Sequence, residues 1–156
     1  MADSDNKINL KTTLSHLRRE DFVVTPNGKT AGKDQKFILV AEDDRFYANI
    51  YRTKLAKENY EVAVVGNGAM ALALAQRKKP DLILLDLIMP VKDGFETLKE
   101  LKADPKLADV KVVVLTNLEQ ADDIKRAKDL GAVDYIVKSN VSIHEVVEKV
   151  KELIKS

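Results

Sequence analysis

Cysteine and tryptophan are both missing from this chain of 156 residues, and histidine occurs only twice. Without cysteine the protein has no disulfide framework, no thiol nucleophile and no zinc–thiolate site. Charge is balanced, with 26 Lys and Arg against 25 Asp and Glu, so the composition favours neither nucleic acid nor an anionic membrane as a partner. No apolar run approaches the roughly 18 residues of a membrane span, and the polar N-terminus is unlike a signal peptide. We therefore expect a cytoplasmic protein.

Hydrophobic residues make up 45% of the chain, which is enough for one domain with a buried core. Residues 1–35 differ from the rest, because they are polar, contain Pro26, Gly28 and Gly32, and show little periodicity. We predict that residues 1–35 form a flexible extension or linker and that residues 36–156 form the domain.

From Phe37 onward, short apolar runs alternate with segments of helical periodicity. The predicted strands are 37–41, 61–65, 81–86, 110–116 and 133–138. The predicted helices are 45–57, an alanine-rich segment from 68 to about 77, a segment around 95–101, 121–130, and 142–155. Five strands alternating with five helices favour an α/β three-layer sandwich, in which a parallel sheet carries helices on both faces.

Polar residues stand where several of these strands end. Asp86 ends the apolar run at 82–85, and an acidic trio (Glu42, Asp43 and Asp44) follows the first strand; Thr116 ends the fourth and Lys138 the fifth. Carboxyl ends of parallel strands share one edge of the sheet, where open α/β folds carry their sites. Crowded carboxylates repel one another unless a cation joins them, and Mg²⁺ prefers such oxygen ligands.

A lysine and a hydroxyl beside a carboxylate suit a phosphoryl group held on that carboxylate. We therefore interpret Asp86 as a nucleophile that accepts phosphate. The simpler alternative is a salt bridge between Asp86 and Lys138, which leaves the acidic trio and Thr116 unexplained.

The motifs at 38–44, 81–90, 93–94, 114–116 and 131–138 resemble the receiver domain of bacterial two-component response regulators. They occur in the right order and cover about three-quarters of the chain. The resemblance implies a flavodoxin-like sheet of five parallel strands in the order 2-1-3-4-5. It also implies a phosphorylated switch rather than an enzyme, with a sensor histidine kinase or a histidine phosphotransfer protein as its partner.

The resemblance gives each candidate residue a role. Asp86 matches the phosphorylated aspartate, and the implied Mg²⁺ ligands are Glu42, Asp43, Asp86 and the backbone carbonyl of Ile88. The implied phosphoryl-binding and switch groups are Thr116, Lys138, the backbone N–H of Asn117, and Tyr135 as the switch aromatic. Asp44 stays open between a helix N-cap and a site residue.

Three departures from the family pattern have expected consequences. Ser139 follows Lys138 where proline is usual, so the loop there is expected to differ in shape. Asn117 replaces a small alanine and narrows access to Asp86. Ile88 and Leu118 are apolar where the family tunes dephosphorylation with polar groups, which predicts a long-lived phosphoryl-aspartate.

The predicted readout surface consists of the fourth helix, the fifth strand and the fifth helix. Its candidate contacts are Lys125, Lys128, Tyr135, Val137 and Glu148. Because the fifth helix ends near Ser156, we expect a single-domain regulator without a nucleic-acid-binding module. Such a regulator acts through a downstream protein that the sequence does not identify, through a homodimer on this face, or through a phosphorelay.

Other functions remain as alternatives. Gly66, Gly68 and Ala71 fit a G-x-G-x-x-A dinucleotide fingerprint after a strand, although in the second βα unit. A receiver-like adaptor that works without phosphorylation keeps the fold but does not need the site. A metal-dependent phosphatase needs an acid two residues after the nucleophile, where Ile88 stands.

Two short patterns in the extension are weaker. The segment at 27–30 ends like a phosphate-binding loop, but Val23 occupies the position of its first glycine. The residues around His16 are faintly similar to the histidine box of sensor kinases, which needs a longer helical hairpin than the extension allows.

Overall fold

The computed structural model describes residues 23–24 and 35–155. In this part of the chain the strands are β1 (Val23–Val24), β2 (Phe37–Ala41), β3 (Glu61–Val65), β4 (Leu82–Leu85), β5 (Lys111–Thr116) and β6 (Asp134–Val137). The helices are α1 (Arg45–Lys57), α2 (Gly68–Arg77), α3 (Gly94–Ala103), α4 (Ala121–Asp129) and α5 (Ile143–Lys155), with a 3₁₀ helix at Lys138–Asn140.

Strands β2 to β6 form a parallel sheet in the order β3-β2-β4-β5-β6. Counted from Phe37, this is the predicted order 2-1-3-4-5, so the expected fold is confirmed. The register aligns Ala41 with Leu85 and Leu85 with Val114, which brings the carboxyl ends of β2, β4 and β5 to one edge.

The sheet also contains a sixth strand that the sequence analysis missed. Strand β1 pairs antiparallel with β3, with Val23 opposite Val64 and Val24 opposite Ala63. Two residues are too few to show the alternation that identifies a strand in a sequence. The rest of the predicted extension, including His16 and the segment at 27–30, lies outside the described residues.

Alternation along the strands divides the core into two layers. Leu39 and Ile83 belong to the layer shared with α2, α3 and α4, whereas Ile38 and Leu84 belong to the layer shared with α1 and α5. Because successive side chains of a strand point to opposite faces, continuous apolar runs supply both layers. The predicted three-layer sandwich follows from this arrangement.

Helix ends follow the sequence signals closely. The Oγ of Ser142 accepts a hydrogen bond from the N–H of Glu145 at 3.1 Å, which begins α5 as predicted. Helix α4 ends before Gly131, whose φ of 107° places it in the left-handed region that glycine tolerates. No helix in the described ranges is both long and apolar enough to cross a membrane.

Candidate functional site

The acidic residues meet at the carboxyl edge of the sheet because the strands are in register. The N–H of Asp86 donates to the carbonyl of Ala41 at 3.0 Å, and the N–H of Glu42 donates to the carbonyl of Val65 at 2.9 Å. Glu42, Asp43 and Asp86 each offer a carboxylate oxygen, and these oxygens lie within 4.8 Å of one another. A set of hard oxygen donors at this spacing fits Mg²⁺.

Lys138 reaches this cluster from the end of β6. Its Nζ donates to Glu42 Oε2 and, at 3.1 Å, to Asp86 Oδ2. All three side chains are almost fully buried, so their charges interact without much screening by water. The ion pair between Asp86 and Lys138, which the sequence offered as the simpler alternative to a phosphoryl site, is therefore present, but Lys138 joins two carboxylates rather than one.

One lysine cannot neutralise three carboxylates, and burial makes the charge on Glu42 still less favourable. Burial raises the pKa of Glu42 to about 7, against the hydrogen bond from Lys138, and the charge of Asp86 adds to the rise. Burial lowers the pKa of Lys138, but its bond to Glu42 and the charge of Asp86 outweigh burial and leave that pKa raised. The site therefore carries excess negative charge that a metal ion would offset.

This imbalance predicts a pH-dependent stability of the metal-free protein. The pKa of Glu42 is raised from 4.5 to about 7 in the folded state, so the protonated carboxyl stabilises the fold. This stabilisation is complete below the unfolded pKa of 4.5 and is lost as the pH rises through the folded pKa of about 7. Between about pH 5 and pH 8 we expect the free energy of unfolding to fall by about 1–3 kcal/mol through this group. Urea unfolding in EDTA at both pH values measures the fall.

The matched variant for this measurement is Glu42→Gln, which keeps the shape of the side chain but cannot ionise. Its free energy of unfolding should change less over the same pH range. An equal fall in the wild type and the variant would assign the pH dependence to other groups.

Thr116 and Tyr135 are connected through the loop that follows β5. Thr116 is completely buried at the end of β5, and its Oγ1 accepts a weak hydrogen bond from the N–H of Leu118 at 3.4 Å. The Tyr135 hydroxyl donates to the carbonyl of Leu118 at 2.7 Å. Burial raises the pKa of Tyr135 to about 12, so this hydroxyl stays protonated and remains a donor. The predicted hydroxyl and switch aromatic therefore contact the same loop residue.

The loop after Asp86 carries the remaining predicted groups. The N–H of Ile88 donates to Asp86 Oδ1 at 3.3 Å, and the Ile88 side chain is 59% exposed. Asn117 is also exposed, on the neighbouring loop. The metal-binding role of the Ile88 carbonyl and the phosphoryl-binding role of the Asn117 N–H stay predictions.

The same loop contains a tight turn with an unfavourable residue. Val91 has a φ of 68°, and across it the N–H of Lys92 donates to the carbonyl of Pro90 at 2.7 Å. A hydrogen bond across a single residue of positive φ is typical of the classic γ-turn, which is rare and strained. A β-branched residue is an outlier at any positive φ, whereas asparagine adopts such a φ more readily. The Val91 side chain is 74% exposed, so no core packing compensates the strain.

We expect Val91→Asn to stabilise the protein by about 1 kcal/mol, because it relieves backbone strain without removing core contacts. The control is Asn59, an exposed residue that has a φ of 66°. Asn59→Val should lower the free energy of unfolding by a similar amount. Chemical denaturation measures the free energy of unfolding of both variants. It must rise for Val91→Asn and fall for Asn59→Val.

Asp44 and the glycine turn before α2 have local structural roles. Asp44 Oδ1 accepts from the N–H of Phe46 at 2.8 Å, so Asp44 is the N-cap of α1. A Cβ on Gly68 would lie 1.9 Å from Thr97 Oγ1 and 2.5 Å from the carbonyl oxygen of Lys92. Gly68 is thus required for close packing against α3 and the loop before it, which explains this one glycine of the fingerprint without a dinucleotide.

Tyr47 is a neighbour of the site that no pattern in the sequence indicates. The Lys138 ammonium lies over the ring of Tyr47, 4.7 Å from its centroid. No spacing motif connects this residue of α1 to a residue 91 positions later.

The peptide bond between Lys138 and Ser139 is trans, and Ser139 lies in the 3₁₀ helix at the end of β6.

A family model described as "Response regulator receiver domain" matches residues 38–151. Among curated proteins, the response regulator PleD of Caulobacter vibrioides is 40% identical over 101 residues, which are 65% of this chain and 22% of PleD. The chain spans less than half the length of the curated relatives that it matches.

Two solved structures are similar in fold and sequence. The phosphorylated cyanobacterial phytochrome response regulator RcpA is 36% identical with a TM-score of 0.68, over 76% of this chain and 91% of that one. The Mn²⁺-bound form of the response regulator Rcp1 is 31% identical with a TM-score of 0.66, over the same shares of the two chains.

Proposed function

Because this chain belongs to the response regulator receiver family, we propose that Asp86 accepts a phosphoryl group and thereby switches a partner-binding face. The observation that carries the proposal is the position of Asp86, a carboxylate 6% exposed, grouped with Glu42 and Asp43 and 3.1 Å from the Lys138 ammonium. The phosphorylated state of RcpA and the bound Mn²⁺ of Rcp1 support the same chemistry here.

The proposed donor is the phosphohistidine of a sensor histidine kinase or of a histidine phosphotransfer protein. An Asp86 carboxylate oxygen forms a bond to phosphorus as the P–N bond of the donor breaks, and the imidazole nitrogen keeps the electron pair. Lys138 supplies a positive charge next to the oxygens of the transferring group. Thr116, at the end of the neighbouring strand, supplies a hydroxyl on the other side.

Mg²⁺ is the proposed cofactor, held by Glu42, Asp43, Asp86 and the Ile88 carbonyl. When bound, it supplies a Lewis acid that offsets the negative charge of the transferring phosphoryl group. The fit rests on the three converging carboxylate oxygens and on the excess negative charge around Glu42.

The proposed output is a change of the face formed by α4, β6 and α5. The phosphoryl group carries about −1.5 to −2 charges on its oxygens, which attract Thr116 and Lys138. A movement of Thr116 acts on the loop at Leu118, and the Tyr135 hydroxyl is bound to that loop. The face then binds a downstream protein or a second copy of the chain through contacts such as Lys125, Val137 and Glu148.

The direct test is reaction with acetyl phosphate as a small phosphoryl donor. With Mg²⁺ we expect one phosphoryl adduct in the intact mass spectrum, mapped by peptide analysis to Asp86, and with EDTA we expect none. A folded protein that forms no adduct under either condition would favour the adaptor that works without phosphorylation.

The phosphoryl group is predicted to be long-lived once it is formed. Ile88 and Leu118, the residues two positions after Asp86 and Thr116, have no polar side-chain group to orient an attacking water. Ile88→Asn should shorten the half-life, since an amide at this exposed position can hold such a water. Phosphate release followed with and without EDTA measures this, and a wild-type half-life of seconds contradicts the prediction.

The domain division also belongs to this proposal. We propose residues 36–156 as the receiver unit, since the family model covers most of that range and the parallel sheet begins at Phe37. The assignment of residues 1–35 as a flexible extension or linker, and the cytoplasmic location, stay predictions.

A further inference from the structure

Lys138 has a third electrostatic partner besides Glu42 and Asp86. Its Nζ lies 4.7 Å from the centroid of the Tyr47 ring, and its side chain is only 4% exposed. An ammonium within about 6 Å of a ring centroid is attracted by the negative face of the ring, most strongly where water is excluded. The Tyr47 ring therefore stabilises the same cation that the two carboxylates hold.

The Tyr47 ring has a buried neighbour on the helix that carries it. It stacks on the buried Tyr51 with centroids 6.0 Å apart and an interplanar angle of 18°. The backbone N–H of Tyr47 donates to the capping carboxylate of Asp44 at 3.4 Å, which places Tyr47 in the first turn of α1. Both contacts limit the positions that the ring can take.

This contact matters when the other partners of Lys138 change. Phosphorylation converts one Asp86 oxygen into the bridging oxygen of an acyl phosphate, so the negative charge that attracts the ammonium moves from the carboxylate to the phosphoryl oxygens. Glu42 and Asp86, the two carboxylates that hold Lys138, would also be ligands of the proposed metal ion and would then share their oxygens with it. The Tyr47 ring takes part in neither event, so it remains a partner for the cation throughout.

We propose that Tyr47 is a positioning residue that keeps the Lys138 ammonium beside the phosphoryl-accepting oxygens. The inference rests on the proposed function, because Lys138 is the phosphoryl-binding cation of that function. Tyr47 acts through Lys138 and contacts no reacting atom.

The test compares Tyr47→Leu, which removes the ring, with Tyr47→Phe, which keeps it. The probe is beryllofluoride, a mimic of the phosphoryl group, whose affinity in Mg²⁺ is measured by calorimetry together with the rate of reaction with acetyl phosphate. Tyr47→Leu should lower both by about 3- to 10-fold, the range expected for one partly buried cation–π contact. Tyr47→Phe should restore both to near the wild-type values.

The matched control is Phe46→Leu, which removes the neighbouring exposed ring that touches Tyr47 and should leave both quantities unchanged. A double-mutant cycle then isolates the contact: in a Lys138→Met background, Tyr47→Leu should cause no additional loss. Circular dichroism establishes that each variant is folded, and Tyr47→Met replaces Tyr47→Leu if the latter is not.

Three results would overturn this inference alone. Tyr47→Leu could leave the beryllofluoride affinity and the reaction rate unchanged, or Tyr47→Phe could lower them as much as Tyr47→Leu does. The third such result is a loss on Tyr47→Leu that persists in the Lys138→Met background. A wild-type protein that neither binds beryllofluoride nor reacts with acetyl phosphate instead contradicts the proposed function. The two failures are therefore distinguishable from the wild-type data.

Discussion

Asp86→Asn is expected to abolish phosphoryl transfer from acetyl phosphate completely. The amide is a poor nucleophile, and it cannot carry the negative charge that the carboxylate brings to the cluster. An asparagine side chain has nearly the same volume, so the buried site should remain packed, and Asp86 lies next to Lys138 and Glu42 rather than in either hydrophobic layer. Intact mass spectrometry after incubation with acetyl phosphate and Mg²⁺ measures the loss.

Asp129→Asn is the matched control for that experiment. Asp129 is an exposed residue on α4 whose carboxylate pairs with Lys125, far in sequence from the acidic cluster. The control variant should form the adduct as the wild type does. An adduct that survives in Asp86→Asn would move the acceptor to another residue and remove the basis of the proposed function.

Asp86→Asn should also affect the free energy of unfolding, and the sign of the change tests whether the carboxylates of the site repel one another. Burial is the main cause of the raised pKa of Glu42, and the charge of Asp86 adds to it, so removing the Asp86 charge relieves part of the repulsion among the carboxylates. The metal-free variant should therefore be no less stable than the wild type at about pH 8. Magnesium should stabilise the wild type more than the variant, because the ion gains most where it joins three carboxylates.

Gly94→Ala is expected to lower the free energy of unfolding by about 3 kcal/mol through overpacking. A Cβ on this residue would lie 2.2 Å from the carbonyl oxygen of Asp86 and 2.6 Å from the Cα of Leu87. Both atoms belong to the backbone and cannot rotate away. The start of α3 must therefore move away from the strand end that carries the phosphate acceptor, so the rate of phosphorylation should also fall.

The control for Gly94→Ala is Gly66→Ala, since a Cβ on Gly66 would meet no atom within 4 Å. Its stability should stay within about 0.5 kcal/mol of the wild type. Alanine is the better helix former, so propensity alone would make Gly94→Ala stabilising. A stabilised Gly94→Ala would show that α3 shifts at little cost and that the close approach to Asp86 is unimportant.

The strands and helices whose bounds were predicted correctly are those in which the spacing of apolar residues along the chain shows which side is buried. The strands at 37–41 and 61–65 and the helix at 45–57 have the predicted bounds, and the face of α5 with Val146, Val147 and Val150 packs as its spacing indicates. Most of the others differ by a residue or two at their ends, where fraying and capping decide the boundary. Within the described ranges, β1 was missed because two residues carry no period, and the 3₁₀ helix at Lys138–Asn140 was not predicted either.

The edge of the sheet on which the candidate site lies was also determined by sequence. Once apolar runs alternate with helices, the strands must be parallel and their carboxyl ends must share an edge. Residues such as Asp86 and Thr116, each directly after or at the end of such a run, are then brought together by topology alone. This is why the candidate residues could be collected without coordinates.

The partners of each side chain within that edge were decided only by the tertiary structure. Lys138 contacts Glu42 across 96 residues of sequence, and its third contact is the ring of Tyr47. A sequence pattern records which face of an element is buried, but the distance between two side chains depends on strand register and on rotamers. The position of Asp86 at the end of its strand was determined by sequence, whereas the charges and the ring around it come from packing.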